Sequence, residues 1–423
     1  MKKGLLIVLA MFICFIVKAG ERQVKGEKCG TMTHMDYLKS KNSNLEQEII
    51  RDENNLQQAI SNLAVSRSSN VIYTIPVVVH IVYKTTGQNV SNAQVQSQID
   101  VLNQDFGRTN PDAASTPAAF SSVASATNFQ FCLAKTDPTG AATNGIERRQ
   151  TTLSSFTLND DMKSYSTGGL DTWDVNKYLN IWVCNLSGGI IGYGELPGAT
   201  HTNTFGVVIQ FDAFGRLGTA VAPYHLGRTC THEISHCFRL YHIWGDDNGA
   251  CSGTDYVNDT PNQGDATFGC YTFPHTDNCS MTSPGIMFMN YMDYSDDNCL
   301  NLFTTLQGTR MYAAINSYYN SLLTSKACDL PDAIKTVNYF DLSIYPNPTS
   351  GFITLDMFNT YNLGQQVKVA VADAIGKIVK EEVIVNPNGT LHQIDLRNCS
   401  NGVYFLSIYN DDYKRTEKIT LAR

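Results

Sequence analysis

The stretch THEISHCFRLYH, residues 231–242, contains three of the nine histidines of this 423-residue chain. His232 and His236 are four residues apart, so on an α-helix their side chains lie on one face with Cβ atoms about 6 Å apart. His242 follows at a distance that requires the chain to leave the helix and turn back. The spacing therefore predicts a helix, a turn, and three imidazoles directed at a single point.

Imidazole nitrogens arranged in this way are typical zinc ligands. Three protein ligands leave one tetrahedral position open, which is typical of a catalytic site, because structural zinc is usually closed by four. Glu233 projects beside the site and can take a proton from a metal-bound water without being a ligand. We therefore expect His232, His236 and His242 to bind Zn2+ in a catalytic site, with Glu233 placed to accept a proton from the bound water.

The sequence around the histidines predicts an α/β unit from about residue 67 to 330. The run YTIPVVVHIVY, residues 73–83, is rich in β-branched residues, as is typical of a buried central strand. Ser91 is placed to cap a helix that follows this strand. Further strands are indicated at residues 129–134, 179–186 and 205–211.

The chemistry of the chain changes beyond Ala333. Alternating strands broken by turn residues follow one another in LSIYPNPTSGFITLDM, QVKVAVADAIGKIVKEEVIV and GVYFLSIYNDDYKRTEKITLA. This pattern predicts a small, all-β antiparallel sandwich over residues 340–423.

The first residues, MKKGLLIVLAMFICFIVKAG, begin with the charged pair Lys2 and Lys3, continue with an apolar run and end in small residues. Residues 1–19 are therefore predicted to be a secretory signal peptide. Lipid attachment at Cys14 is disfavoured because the bulky Ile13 precedes it. No later segment is apolar enough to span a bilayer.

Residues 20–66 are predicted to be a pro-segment, and their strongest pattern is an amphipathic helix at 43–65. Ser43 and Glu46 have the spacing of a capping box at its start. A single amphipathic helix cannot form its own core, so we expect it to pack against the rest of the chain.

Composition narrows the class of protein. Hydrophobic residues make up 43% of the chain and charged residues 17%, which is typical of a globular protein. The net charge of −8 provides no field that would attract nucleic acid or an anionic membrane. We therefore predict no nucleic-acid partner.

The pattern H-E-x-x-H-x-x-x-x-x-H resembles that of the metzincin zinc peptidases. The segments GRTCTHEISH, YHIWGD, DTP and MNYMDYSDDNCLNLFTTLQGTRM are similar to the pappalysin branch of that family. The resemblance covers residues 67–330 and implies a mixed-sheet catalytic domain with an active-site helix, acting on proteins or peptides. It implies that His232, His236 and His242 hold zinc and that Glu233 is the general base and acid in peptide-bond hydrolysis. It also implies that Met292 lies beneath the metal and that Tyr294 can hydrogen-bond the tetrahedral intermediate. Without the resemblance, Met292 would be an ordinary core methionine.

The leader contains a cysteine with a predicted role. A thiolate is a good zinc ligand, so Cys29 could fill the open position until the leader is cut away. The Cys-Gly-Thr motif is similar to the switch of pappalysin zymogens, whereas the alternative is a spare thiol. Cleavage in front of Arg67, in the polar segment VSRSSN, would release the leader. The resemblance also implies a preference for basic substrate residues, although Asn298 stands where it would place an acidic residue.

Four cysteines cluster in a Gly-, Asp- and Asn-rich region. Export favours disulfides, and four cysteines allow three pairings. The resemblance implies the pairs Cys251–Cys279 and Cys270–Cys299.

The segment GDDNGACSGTDYVNDTP offers Asp246, Asp247, Asp255 and Asp259, whose hard oxygens suit calcium. The resemblance points to Ca2+ near Asp255 and Thr260. A solvated acidic loop is the alternative.

Two residues depart from the family pattern. Arg239 stands where a glycine or asparagine adopts a left-handed conformation, at a cost of about 1 kcal/mol. Ser235 stands where this branch commonly has glycine. These departures keep a second functional hypothesis open, in which the chain is a non-catalytic secreted adhesin built on a degenerate peptidase domain.

The tail segments YPNPTSGFITL, DAIGKIV and NGVYFLSI resemble the C-terminal sorting domain of type IX secretion substrates in Bacteroidetes. The resemblance implies that the outer-membrane secretion machinery of a Gram-negative bacterium is a partner, and that the protein is secreted or held at the cell surface. The alternative is an immunoglobulin-like binding module.

Overall fold

A computed structural model describes residues 28–65, 71–198, 202–330, 343–357, 366–387, 390–410 and 414–423. The chain divides into two compact units, Met1–Asp329 and Leu330–Arg423. The expected signal peptide and the expected cleavage before Arg67 lie outside the described residues.

The N-terminal unit alternates helices and strands. Its α-helices among the described residues are α1 (Thr31–Lys41), α2 (Leu45–Val65), α3 (Asn92–Phe106), α4 (Arg228–Cys237) and α5 (Thr305–Tyr318). Its strands are β1 (Tyr73–Tyr83), β2 (Ala124–Ser125), β3 (Phe129–Leu133), β4 (Ile146–Gln150), β5 (Leu179–Cys184), β6 (Gly192–Gly194), β7 (Gly206–Gln210) and β8 (Phe303–Thr304).

The main sheet has the order β3-β1-β5-β7-β6, and β4 also pairs with β1. The strands are parallel except β6, which runs antiparallel to β7 at the edge. β1 is buried along nearly its whole length, as its β-branched sequence predicts. The sheet is thus mixed, as the family resemblance implies.

The helix predicted at 43–65 is present but begins at Leu45, and a separate helix, α1, precedes it. Its start therefore does not use the predicted Ser43 capping box. Leu56 of α2 is fully buried in the main core, and Ile60 and Leu63 pack against that core. The helix is therefore stabilised by packing its apolar face against the main core of the N-terminal unit, as its amphipathic pattern predicts.

Three disulfides close the loops of the N-terminal unit. Cys251–Cys279 and Cys270–Cys299 form the pairs that the resemblance implies. Cys132–Cys328 was not foreseen, because the two residues are separated by 196 positions in the sequence. Cys230 and Cys237 of α4 are buried free thiols.

The C-terminal unit is an antiparallel β structure of two sheets, with orders β13-β10-β9 and β12-β11-β14-β15. Alternate residues of these strands enclose a core of its own. The strands are β9 (Ser343–Tyr345), β10 (Phe352–Asp356), β11 (Gln366–Asp373), β12 (Ile378–Val385), β13 (Leu391–Asp395), β14 (Gly402–Tyr409) and β15 (Lys414–Leu421). The predicted fold class, an α/β catalytic unit followed by an all-β sandwich, is confirmed.

None of the helices in the described ranges combines the length and the apolar character that a bilayer span requires.

Candidate metal centre

Helix α4 carries the first two histidines and is buried throughout. It ends in a Schellman motif, in which Leu240 N donates to Ser235 O at 2.9 Å and Arg239 N donates to His236 O at 2.8 Å. Arg239 occupies the left-handed position of this motif with φ 63°. The chain can therefore turn back within a few residues and bring His242 beside the helix.

The Nε2 atoms of the three histidines converge. His236 Nε2 lies 3.1 Å from His232 Nε2 and 3.2 Å from His242 Nε2. Nitrogens bound at 2.0–2.1 Å to a tetrahedral zinc ion stand about 3.3 Å apart, so this spacing fits zinc.

The other ring nitrogens are fixed by acceptors. His232 Nδ1 donates to Tyr291 O at 2.7 Å, His236 Nδ1 to Leu240 O at 2.8 Å, and His242 Nδ1 to Asp246 Oδ1 at 2.8 Å. This arrangement leaves each Nε2 lone pair free for a ligand.

Burial lowers the pKa of His232 and of His236, and the neighbouring imidazoles act in the same direction. Both rings are therefore favoured in the neutral form that a metal ligand requires.

Cys29 of the leader completes a group of four buried donor atoms that all lie within 4.8 Å of one another. Its Sγ lies 3.5 Å from His236 Nε2. A sulfur at 2.3 Å and a nitrogen at 2.0–2.1 Å from one tetrahedral zinc ion would be about 3.6 Å apart, so the thiol sits where a fourth ligand fits.

Glu233 lies next to this group and is almost fully buried. Its Oε2 accepts from Thr31 Oγ1 at 3.1 Å and lies 3.3 Å from Cys29 Sγ. A side chain at Gly192 would not fit, because its Cβ would be 2.8 Å from Glu233 Cγ. The glycine lets β6 and α4 approach closely and holds the carboxylate beside the metal position.

The backbone of the leader follows β6. Gly30 N donates to Gly192 O at 2.8 Å, Ile191 N donates to Lys28 O at 2.8 Å, and the short bridge between Cys29 and Gly192 is parallel. Tyr294 Oη donates to Cys29 O at 3.3 Å. Residues 28–30 thus lie across the candidate metal site, between β6 and Tyr294.

Lys28 enters a small cavity beside the histidines whose lining includes Asp293, Asp297 and Leu300. Its Nζ donates to Ser295 O at 3.0 Å. Burial lowers the pKa of Lys28, while the nearby carboxylates, chiefly Asp297, act in the opposite direction. The cavity thus places the amino group of Lys28 near Asp293 and Asp297, whereas Asn298 is exposed and does not line it.

Met292 and Tyr294 are the two further residues that the sequence predicts for this site. Met292 is fully buried in the main core. The Tyr294 ring lies 5.1 Å from that of His242 and 5.8 Å from that of His232, measured between centroids. Trp244 stacks on His242 with centroids 4.3 Å apart.

The acidic loop does not gather its carboxylates around one point. Asp246 accepts a hydrogen bond from His242 Nδ1. Asp247 accepts from the backbone N–H groups of residues 250, 252 and 253. Asp259 accepts from Thr304 Oγ1 and from the backbone N–H of Leu306. Asp255 accepts from Thr260 Oγ1 at 2.7 Å, and burial raises its pKa to about 6. The calcium site stays a prediction.

Sequence reasoning missed the partners of the site. The sequence indicates Asp246 only as a possible calcium ligand, although its position four residues after His242 is a signal for the hydrogen bond between them. It indicates Thr31 only as part of the Cys-Gly-Thr motif and gives no sign of its hydrogen bond to Glu233. Nothing in the sequence indicates that Lys28 lies in a cavity with Asp293 and Asp297.

Comparisons with known proteins point to one family. A family model described as "Pregnancy-associated plasma protein-A" matches residues 165–316. A second, described as "Secretion system C-terminal sorting domain", matches residues 343–422.

Curated relatives include an extracellular metalloprotease of Pyricularia oryzae, 31% identical over 244 residues that cover 56% of this chain and 73% of the relative. Another, from Arthroderma otae, is 27% identical over 317 residues, which are 73% of this chain and 98% of the relative.

Among solved structures, mature mirolysin of Tannerella forsythia in complex with a cleaved peptide is 49% identical, with a TM-score of 0.60, and covers 63% of this chain and 100% of its own. A promirolysin variant from the same organism is 44% identical, with a TM-score of 0.66, and covers 72% of this chain and 100% of its own.

Proposed function

This chain belongs to the pappalysin family of metallopeptidases and carries a type IX secretion sorting domain, and on this basis we propose that it is a zinc endopeptidase made as a zymogen. The observation that carries the proposal is the convergence of three Nε2 atoms and one thiol at distances that fit a single tetrahedral ion. We assign the zinc ligands as His232, His236 and His242. Zinc bound there would supply an electrophile for water and for the scissile carbonyl.

The side chains around the metal position have separate roles. Glu233 takes a proton from the attacking water on its Oε2 and later gives it to the leaving amine. Tyr294 Oη donates to the carbonyl of Cys29 in the full chain, and it would donate to the substrate oxygen in place of that carbonyl once the leader has gone. Tyr291, Leu240 and Asp246 keep the imidazoles oriented through their Nδ1 atoms.

We propose that residues 20–66 are the inhibitory pro-segment, 67–330 the catalytic domain and 340–423 the sorting domain. The position of Cys29 Sγ supports latency by a thiol at the fourth ligand position. Thr31 and Cys29 also donate hydrogen bonds to the Glu233 carboxylate. The Cys-Gly-Thr motif therefore fills the fourth ligand position and also contacts the residue that would accept the proton of the water.

A preference for basic substrate residues follows from the cavity beside the histidines. Lys28 fills it in the full chain, with Asp297 and Asp293 nearby. We propose that a lysine or arginine of the substrate takes the place of this lysine after activation.

One assay separates this function from that of a non-catalytic adhesin. The chain, after removal of residues 1–66, is incubated with casein, with and without o-phenanthroline, and with Zn2+ added back. An endopeptidase cleaves casein at internal bonds, loses activity with the chelator and regains it with zinc. A folded protein that binds zinc but never cleaves casein or gelatin would favour the adhesin.

A further inference from the structure

The pro-segment makes a second buried contact far from Cys29 in sequence. Glu53 of α2 is only 6% exposed. Arg310 Nη1 donates to Glu53 Oε1 and Arg310 Nη2 to Glu53 Oε2, both at 2.7 Å, and Arg239 Nε donates to Oε2 at 3.3 Å. One carboxylate of the leader thus joins two arginines of the catalytic unit, one of them in a two-point pair.

These two arginines lie at the turn that positions the third histidine of the candidate metal site. Arg239 is the left-handed residue of the turn between His236 and His242. Arg310 Nε donates to Arg239 O at 2.8 Å and so holds the backbone of that turn. The contact of Glu53 therefore reaches the turn that positions the third imidazole.

Most polar contacts of the two guanidinium groups depend on α2. Besides its bond to Glu53, Arg239 donates to Ile49 O at 3.1 Å, and only its bond to Pro197 O lies outside the leader. Arg310 uses both Nη atoms for Glu53. Departure of α2 would leave two neighbouring, nearly buried cations without an anion, which is costly.

Aromatic rings of the catalytic unit also pack against the two arginines, although Tyr318 in addition donates to Asp52 O of α2 at 2.6 Å. The Arg310 guanidinium lies over Tyr241 at 5.4 Å and Tyr256 at 5.2 Å, and that of Arg239 over Tyr318 at 5.4 Å, measured to the ring centroids. These contacts favour a preformed site that keeps its shape when its anion leaves.

We propose that Arg239 and Arg310 form a carboxylate-binding site, filled by Glu53 in the full chain and able to take a small carboxylate from solution when Glu53 is absent. The site anchors the leader independently of the thiol at the metal. Its role after activation rests on the proposed removal of the leader, but its existence does not.

Chemical rescue tests the site in the full chain. Glu53→Ala, made together with Glu233→Ala to prevent self-cleavage, deletes a group of the size of acetate. The thermal midpoint is followed by tryptophan fluorescence, since all three tryptophans, Trp173, Trp182 and Trp244, lie in the N-terminal unit. Sodium acetate replaces sodium chloride at constant ionic strength.

We expect Glu53→Ala to lower the midpoint by several degrees and acetate to restore it along a saturating curve. Glu46→Ala, which removes an exposed carboxylate from the same helix, is the matched control and should respond to acetate no more than the parent does. Equal responses of the Glu53 and Glu46 variants would overturn the proposal.

A second variant covers the case in which Glu53→Ala does not fold. Glu53→Gln keeps the shape of the side chain but not its charge, and it should speed backbone hydrogen exchange in residues 45–63 roughly a hundredfold. Exchange in β11 and β14 should stay unchanged. Unaltered exchange in 45–63 would also contradict the site.

Neither readout depends on hydrolysis. A chain that proved not to be a peptidase would still show acetate rescue if the site exists. An active peptidase without rescue would refute the site and leave the proposed function intact.

Discussion

Arg239 illustrates how one residue can be unfavourable locally and still be retained. Its left-handed backbone costs about 1 kcal/mol relative to glycine. Its guanidinium group in return makes hydrogen bonds to Glu53, Ile49 and Pro197, each with a typical net contribution of about 1 kcal/mol. The departure from the family pattern is therefore compatible with an intact metal site.

At this scale we predict that Glu233→Ala retains the fold and bound zinc but loses at least roughly a hundredfold in casein hydrolysis, because the proton acceptor is gone while the three imidazoles remain. Metal analysis and activity are measured on the same sample. Asp100→Ala, which removes an exposed carboxylate of the catalytic unit, serves as a control and should keep full activity. Substantial turnover by the Glu233 variant would refute its role as the base.

Asp297→Asn should weaken cleavage before lysine or arginine. The substitution keeps the size of the side chain but removes the charge that faces the cavity now filled by Lys28. We expect kcat/KM for a basic peptide, divided by that for the matched leucine peptide, to fall at least roughly tenfold. Asn298→Asp should change this ratio little, since residue 298 is exposed and outside the cavity lining.

The sequence was informative about residues whose spacing follows a helix. It indicated the ligands and Glu233, because helical geometry fixes residues four positions apart. It could not indicate contacts between distant segments, such as Lys28 with Asp297 or Glu53 with Arg310, because these depend on tertiary packing.

At the scale of elements, the proposed pro-segment contacts the rest of the N-terminal unit at two places, its Cys-Gly-Thr motif and helix α2. The helix was predictable from its apolar stripe, but its start at Leu45 was not, because the preceding α1 changes how the chain enters it. The Glu53 anchor escaped the amphipathic pattern because it is a charged residue on the buried face.

Cys29→Ala should shorten the time that the full chain needs to become active, because the fourth ligand position is then open to water. A mercurial added to the parent chain should have the same effect. Cys399→Ala is the matched control, since Cys399 is a partly exposed free thiol of the C-terminal unit. Equal activation times for the two variants would contradict a switch at Cys29.

The docking of α2 should depend on pH. Burial alone would raise the pKa of Glu53, but hydrogen bonds and charge from Arg310, with help from Arg239, lower it. A lowered pKa stabilises the folded state above the ordinary glutamate pKa of about 4.3, and this contribution is lost as the pH falls through the folded-state value. The protection factors of residues 45–63, which correct the exchange rates for the intrinsic pH dependence of exchange, should therefore fall on acidification, and this fall should be missing in Glu53→Gln.

At the scale of the whole molecule, the two units have separate cores and separate predicted tasks. Deletion of residues 340–423 should therefore block release from a host with type IX secretion, while casein cleavage by the purified, activated protein stays unchanged. Cell fractionation and the casein assay measure the two effects. Loss of hydrolysis with normal release would show that the tail is not a sorting domain.

The Cys132–Cys328 bridge joins strand β3 of the main sheet to the end of the N-terminal unit, and the three histidines and both other disulfides lie between these two cysteines in the chain. A peptidase released among its own copies is exposed to nicking in surface loops. Cleavage of one peptide bond between residues 132 and 328 gives two polypeptides that are still joined by this disulfide. The cleaved molecule can therefore keep its three histidines together.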